Sequence, residues 1–94
     1  MRLKKKSLKK PVRWYLYVLK CADNTLYTGI TNDPSRRLEQ HNAGTASRYT
    51  RSRLPVKRIY QEPCRNRSFA LKKEYAVKAL TRGEKEDYIA KHAK

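Results

Sequence analysis

Two tyrosine-centred triplets, Tyr15-Leu16-Tyr17 and Tyr27-Thr28-Gly29, stand near the start of the chain, and Arg37 and His41 follow them. Phenols, a guanidinium and an imidazole can bind a phosphate ester, steady the charge that grows on it during attack, and carry protons near neutral pH. The chain around them holds 24 Lys and Arg against 8 Asp and Glu, a formal charge of +16. Such an excess repels itself, and a polyanion relieves it. The set therefore points to phosphodiester chemistry.

The elements that must position these groups read off local pattern. Trp14–Cys21 is aromatic and β-branched with two apolar faces, so it reads as a strand central in its sheet. Asp23-Asn24 signals a turn and Leu26–Thr31 a return strand, giving a hairpin. A regular two-residue turn would put Tyr17 and Tyr27 on opposite faces. A shared site therefore requires an odd loop, such as Asp23-Asn24-Thr25, or a bulge. Asp33-Pro34 opens a helix that Gly44 stops, with Arg37 and His41 four apart on one face. Residues 45–55 read as a polar loop, 56–62 as a third strand ended by Pro63, and Ser68–Leu80 as a helix. That helix offers Phe69, Ala70, Leu71, Tyr75, Ala76, Val77, Ala79 and Leu80 for burial. Thr81-Arg82-Gly83-Glu84 fits a capping box for a last helix reaching His92. The expected fold is α+β, a three-stranded antiparallel sheet flanked by helices in the order β-β-α-β-α-α.

Ninety-four residues allow one small domain, placed at 14–92. Residues 1–13 hold seven cations and no acid, and are expected to be a disordered basic arm. The remaining seventeen cations against eight acids leave +9 on the body, so the body is basic without its arm. No apolar run is long enough for a membrane span, and no apolar segment follows the N-terminal lysines as in a secretory signal. A cytoplasmic protein with no membrane partner is expected. Cys21 and Cys64 are too few and too far apart for a disulfide scaffold or a zinc site, and are expected as free thiols.

The ordered set Tyr17, Tyr27-Thr28-Gly29, Arg37, His41 and Glu74 resembles the GIY-YIG nuclease superfamily, in its small stand-alone branch. The resemblance runs from about Trp14 to Ile89. It implies a metal-dependent nuclease that hydrolyses phosphodiester bonds with one divalent ion, Mg²⁺ or Mn²⁺. By the same resemblance Tyr27 is the general base or the holder of the attacking water, and Tyr17 positions water or phosphate. A phenol is a weak base unless nearby cations favour the phenolate. The alternative, a ring packed in its strand, stays open for Tyr17 and is weakened by the resemblance for Tyr27. Gly29 makes room for the scissile phosphate or marks a bulge. Arg37 is a fixed charged fork for the transition state, or one more surface arginine beside Arg36. His41 is a proton carrier or phosphate donor, or a solvated helix residue.

Glu74 is the expected metal ligand. It lies among apolar neighbours, and one carboxylate plus waters is a common way to hold Mg²⁺. Its bland alternative is a surface pair with Lys78. Two positions depart from the family pattern: Tyr15 stands where the family name has glycine, and no asparagine follows Glu74, leaving Lys78 or Lys85 to substitute.

Arg48, Tyr49, Arg51, Arg53, Lys57 and Arg58, with no acid from 45 to 58, suit a nucleic-acid groove, to which Arg36 and Gly29 would add. The expected substrate is DNA, branched or single-stranded, with RNA left open. Larger relatives attach separate domains for target choice and this chain has no room for one, so low sequence specificity and strong salt dependence are expected. Relatives suggest DNA repair or processing. The alternative function is a nucleic-acid-binding module that keeps the fold and cuts weakly or not at all.

Overall fold

The computed structural model describes residues 13–93. The basic arm expected over 1–13 lies outside the described residues except for Arg13. The elements are β1 (Trp14–Lys20), β2 (Leu26–Thr31), α1 (Pro34–Asn42), α2 (Arg48–Arg51), β3 (Lys57–Cys64), α3 (Arg67–Lys78) and α4 (Arg82–His92). The sheet is antiparallel in the order β2-β1-β3, so β1 is central as its two apolar faces require. No helix among the described residues is long and apolar enough to cross a membrane.

Alternation along β1 divides the interior in two. Leu16 and Val18 meet Tyr60, Cys64 and, from α3, Ala70 and Val77, with Leu80, Tyr88 and Ile89 packed alongside. Tyr17, Leu19 and Cys21 meet Val56, with Tyr27, Leu38 and Leu54 closing over them. Both thiols are free and buried, one in each half.

The hairpin has the required odd loop, one residue earlier than the example Asp23-Asn24-Thr25. Cys21 N–H donates to Thr25 O and Asn24 N–H to Cys21 O, both at 2.9 Å, which leaves the three residues Ala22-Asp23-Asn24 in the turn. Asn24 supplies the left-handed residue such loops need, at φ 72°. Tyr17 then pairs with Gly29 and Leu19 with Tyr27, so Tyr17, Tyr27 and Gly29 share one face.

The helix signals act as expected. Asp33 accepts from Arg36 N–H, Pro34 sits in the first turn and Gly44 follows at φ +80°. Thr81 and Glu84 form the reciprocal capping box. Three expectations are corrected. Residues 45–55 are not all loop, because Ser47 caps the short helix α2. Strand β3 runs through Pro63 to Cys64; as an edge strand it tolerates a residue without an N–H. On α3 only Ala70 and Val77 are fully buried, while Tyr75 is 81% exposed and Phe69 and Leu71 are 39% exposed. The sheet is three strands wide, and one narrow stripe of α3 covers its share.

Candidate active site

The site forms where β2, one of the two edge strands, meets α1 and α2. Gly29 lies directly opposite Tyr17, and a Cβ there would fall 2.5 Å from the Tyr17 hydroxyl. The space that Gly29 leaves is filled by the Tyr17 ring. No bulge occurs at Gly29 in the β1–β2 register. That fit turns the Tyr17 hydroxyl onto His41, 2.8 Å from Nε2. The other ring nitrogen, Nδ1, lies 2.8 Å from Thr50 Oγ1, and Thr50 Oγ1 lies 2.9 Å from Ser47 Oγ. The short helix α2 thus exists where the His41 ring needs a partner.

His41 has no exposed surface. Burial, and then the Arg37 charge nearby, hold its pKa down at about 4, so the imidazole is neutral at neutral pH. With both nitrogens bonded inside the protein, it offers no donor to phosphate. The alternative of a solvated helix residue is corrected by the same burial. Tyr17 is pushed up to about 12, mainly by burial, with Arg37 pulling the other way and Tyr27 adding to the rise. It therefore stays protonated and acts as a hydroxyl, not a phenolate.

Two directions satisfy this chain. In one, Tyr17 donates to Nε2, Nδ1–H donates to Thr50, and Thr50 donates to Ser47. In the other, every donor and acceptor is reversed, and the Tyr17 hydrogen is free to point outward.

Tyr27 packs against the same imidazole, with ring centroids 5.2 Å apart, and lies 6.4 Å from the Tyr17 ring. Tyr49 of α2 continues the aromatic row 5.8 Å from Tyr27. Arg37 Nη1 donates to Gln40 Oε1 at 3.0 Å, which fixes the fork. Its Nε is buried and has no hydrogen-bond partner among the described residues.

The third side comes from α3. Lys78 Nζ sits 5.8 Å from the Tyr27 ring centroid and 3.3 Å from Glu74 Oε2. The surface-pair alternative for Glu74 is thus present, yet the pair lies against the tyrosine cluster, and the Glu74 charge reaches Tyr17. Among the described residues no three of His, Cys, Asp and Glu gather as a metal cage. The donors fit a hard cation that keeps most of its waters and takes one carboxylate, Glu74, whose side chain is 19% exposed.

The basic stretch divides. Arg53 is committed within the protein: Nε donates to Asp23 Oδ2 at 2.9 Å, Nη1 donates to Tyr49 O at 2.8 Å, and its guanidinium stacks 3.9 Å over the Tyr49 ring. The acid that pairs with it lies outside 45–58, so the acid-free stretch hid it. Arg48 and Arg51 are exposed on α2 beside the site. Lys57 and Arg58 are exposed on β3, which β1 separates from β2. Arg36 lines a cleft together with Arg37. Sequence reasoning missed Thr50 as the partner of His41, although Ser47 three residues earlier is a recognisable N-cap.

The arrangement holds two hydroxyl-bearing rings, a fixed guanidinium and one carboxylate around an open strand edge. The family model described as the GIY-YIG catalytic domain matches residues 13–87. The UPF0213 protein DP2720 of Desulfotalea psychrophila is 54% identical over 69 residues, covering 72% of this chain and 63% of that protein, so the chain spans less than two thirds of this relative. The UPF0213 protein SAG0778 of Streptococcus agalactiae is 49% identical over 78 residues, covering 83% of this chain and 89% of that one. Among solved structures, the protein EF2693 from E. faecalis superposes with a TM-score of 0.61 at 46% identity, covering 88% of this chain and 86% of that one. The UPF0213 protein BH0048 from Bacillus halodurans gives 0.57 at 35% identity, covering 85% of each. With the tyrosines, Arg37 and Glu74 placed around one strand edge and the match running from Arg13 to Asp87, the chain belongs to the GIY-YIG catalytic domain family.

Proposed function

We propose that the chain is a metal-assisted nuclease that hydrolyses phosphodiester bonds in DNA, with little sequence preference. The observation that carries the reading is the convergence of Tyr17, Tyr27 and Arg37 with Glu74, from the far side of the sheet, on the outer edge of β2. A pure binding surface has no need of that convergence. Arg37 receives a phosphate oxygen and the charge that grows on it, and its buried, unpartnered Nε suits that task. Tyr17, held by His41, donates to phosphate or water. Tyr27 orients the attacking water and takes its proton. Glu74 would hold one divalent ion, Mg²⁺ or Mn²⁺, which would supply Lewis-acid polarisation of the phosphate. Arg48, Arg51 and Tyr49 extend the surface along the strand.

A second reading, a nucleic-acid-binding module that does not cut, has one contact in its favour. Lys78 holds Glu74 at 3.3 Å, where a lysine competes with a metal. The test is incubation of the protein with plasmid, single-stranded, flapped and nicked DNA and with RNA, with Mg²⁺ or Mn²⁺ added. Arg37→Ala and Glu74→Gln run alongside. Losing one such stabilising group is expected to cost roughly 10²–10³ in rate. Cutting that persists unchanged in both variants overturns the mechanism, and binding without cutting on every substrate establishes the module.

A further inference from the structure

Beside the tyrosine cluster, at the end of the sheet where β1 begins and β2 finishes, lies a cleft of about 320 Å³. Its walls include Trp14, Asn32, Asp33, Arg36, Arg37 and Arg67. That volume is at the small end of ligand pockets, enough for one base with its sugar. Three guanidinium groups face a single carboxylate there. Asp33 is occupied as the cap of α1, where it accepts from Arg36 N–H at 3.3 Å. The half-buried Trp14 indole has the Arg67 guanidinium 5.6 Å from its ring centroid, and Arg67 itself is exposed. Arg37 belongs both to this cleft and to the proposed catalytic cluster, and its Nε is the buried donor without a partner among the described residues. The cleft gathers cations around an aromatic plane beside Arg37.

We propose that the cleft is a nucleotide subsite that takes one unpaired nucleotide, adjoining the phosphate held by Arg37, with its base against Trp14 and Arg67 and its phosphate at Arg36. The inference rests on the nuclease reading and narrows its substrate class to single-stranded or flapped nucleic acid. A base inside a duplex is stacked on both faces and cannot give one to an indole without leaving the helix. A single strand offers its bases freely, and aromatic stacking holds them whatever their identity.

Trp14 is the only tryptophan in the chain, so its emission reports on this cleft alone. The Glu74→Gln protein, with chelator present, is titrated with short oligothymidylate, short oligouridylate and a blunt duplex. Trp14 emission is followed, and the anisotropy of an end-labelled strand is followed in parallel. The expected result is saturable quenching by a single strand that tracks the anisotropy, with none from the duplex. The two single strands distinguish deoxyribose from ribose, and quenching by either supports the subsite. Arg67→Glu, an exposed change, should weaken both signals, by roughly five- to hundredfold if stacking on the Trp14–Arg67 pair is lost. Anisotropy that reports binding while Trp14 emission stays fixed overturns the proposal, as does equal quenching by the duplex. The emission reads binding without cleavage, so the two readings fail separately. Quenching by a protein that cuts nothing leaves the subsite and removes the nuclease, and cutting without quenching does the reverse.

Discussion

Lowering the pH should destabilise this protein through His41 before its carboxylates contribute much. The folded pKa is about 4, against 6.5 for a free imidazole. The unfolded chain therefore binds the proton first. Unfolding free energy rises with pH between those values, is fully present above about 6.5, and is lost as pH falls towards 4. A gap of that size at 1.36 kcal/mol per unit is about 3 kcal/mol. Against the ~5–15 kcal/mol total of a typical domain, this is a large share. Urea unfolding followed by circular dichroism, from about pH 7 down to about pH 4, on wild type and His41→Gln would measure it. The stability advantage of wild type over the variant should shrink by about 3 kcal/mol across that range. Asp23 and Glu62, whose pKa values are also lowered, lose stabilisation in acid in both proteins and cancel from the difference. A pH-independent difference, or a His41 ring that titrates near its ordinary value by NMR in the folded state, refutes the reasoning.

Thr50→Val keeps the shape of Thr50 but leaves His41 Nδ1 buried without a partner, which should cost about 1–3 kcal/mol and lower kcat more than it raises KM. Unchanged turnover would show that the chain from Ser47 to Tyr17 does not position the hydroxyl. Gly29→Ala drives a methyl into the Tyr17 ring and should destabilise by about 1–3 kcal/mol while displacing the hydroxyl from His41; normal melting with normal cleavage would contradict this. Glu62→Gln disturbs a carboxylate that accepts from Tyr60, Tyr88 and Lys73, so it should lower the urea midpoint by loosening α4 and leave cleavage per folded molecule intact. A fall in cleavage without a fall in stability would place Glu62 in the active site.

What the sequence revealed is what local rules control. Strand alternation placed β1 at the centre, Asp33, Gly44 and Thr81 marked helix ends, and the need for Tyr17 and Tyr27 to share a face dictated an odd hairpin loop. What it hid depends on partners distant along the chain. The commitment of Arg53 to Asp23 is invisible in an acid-free stretch, because the acid arrives from the hairpin turn. The helix α2 has only four residues, too short for any periodicity, and part of its purpose is a ring nitrogen of His41. Gly29 showed that space was needed there without showing that Tyr17 would fill it. Apolar residues on α3 suggested more burial than a three-stranded sheet can provide.

The position of β2 at the border of the sheet carries a further consequence. In the proposed mechanism substrate reaches Tyr27 and Glu74 from that side, which leaves no place for a sheltering strand, and the outward backbone groups of β2 are a template on which a second copy could pair. A bulge or proline on β2 would disturb the register that aligns the tyrosines. The remaining protection is mutual repulsion between molecules of charge +16. The cations that would attract nucleic acid therefore also oppose the pairing of one copy with another. Strong salt that strips bound nucleic acid would weaken that repulsion in the same step.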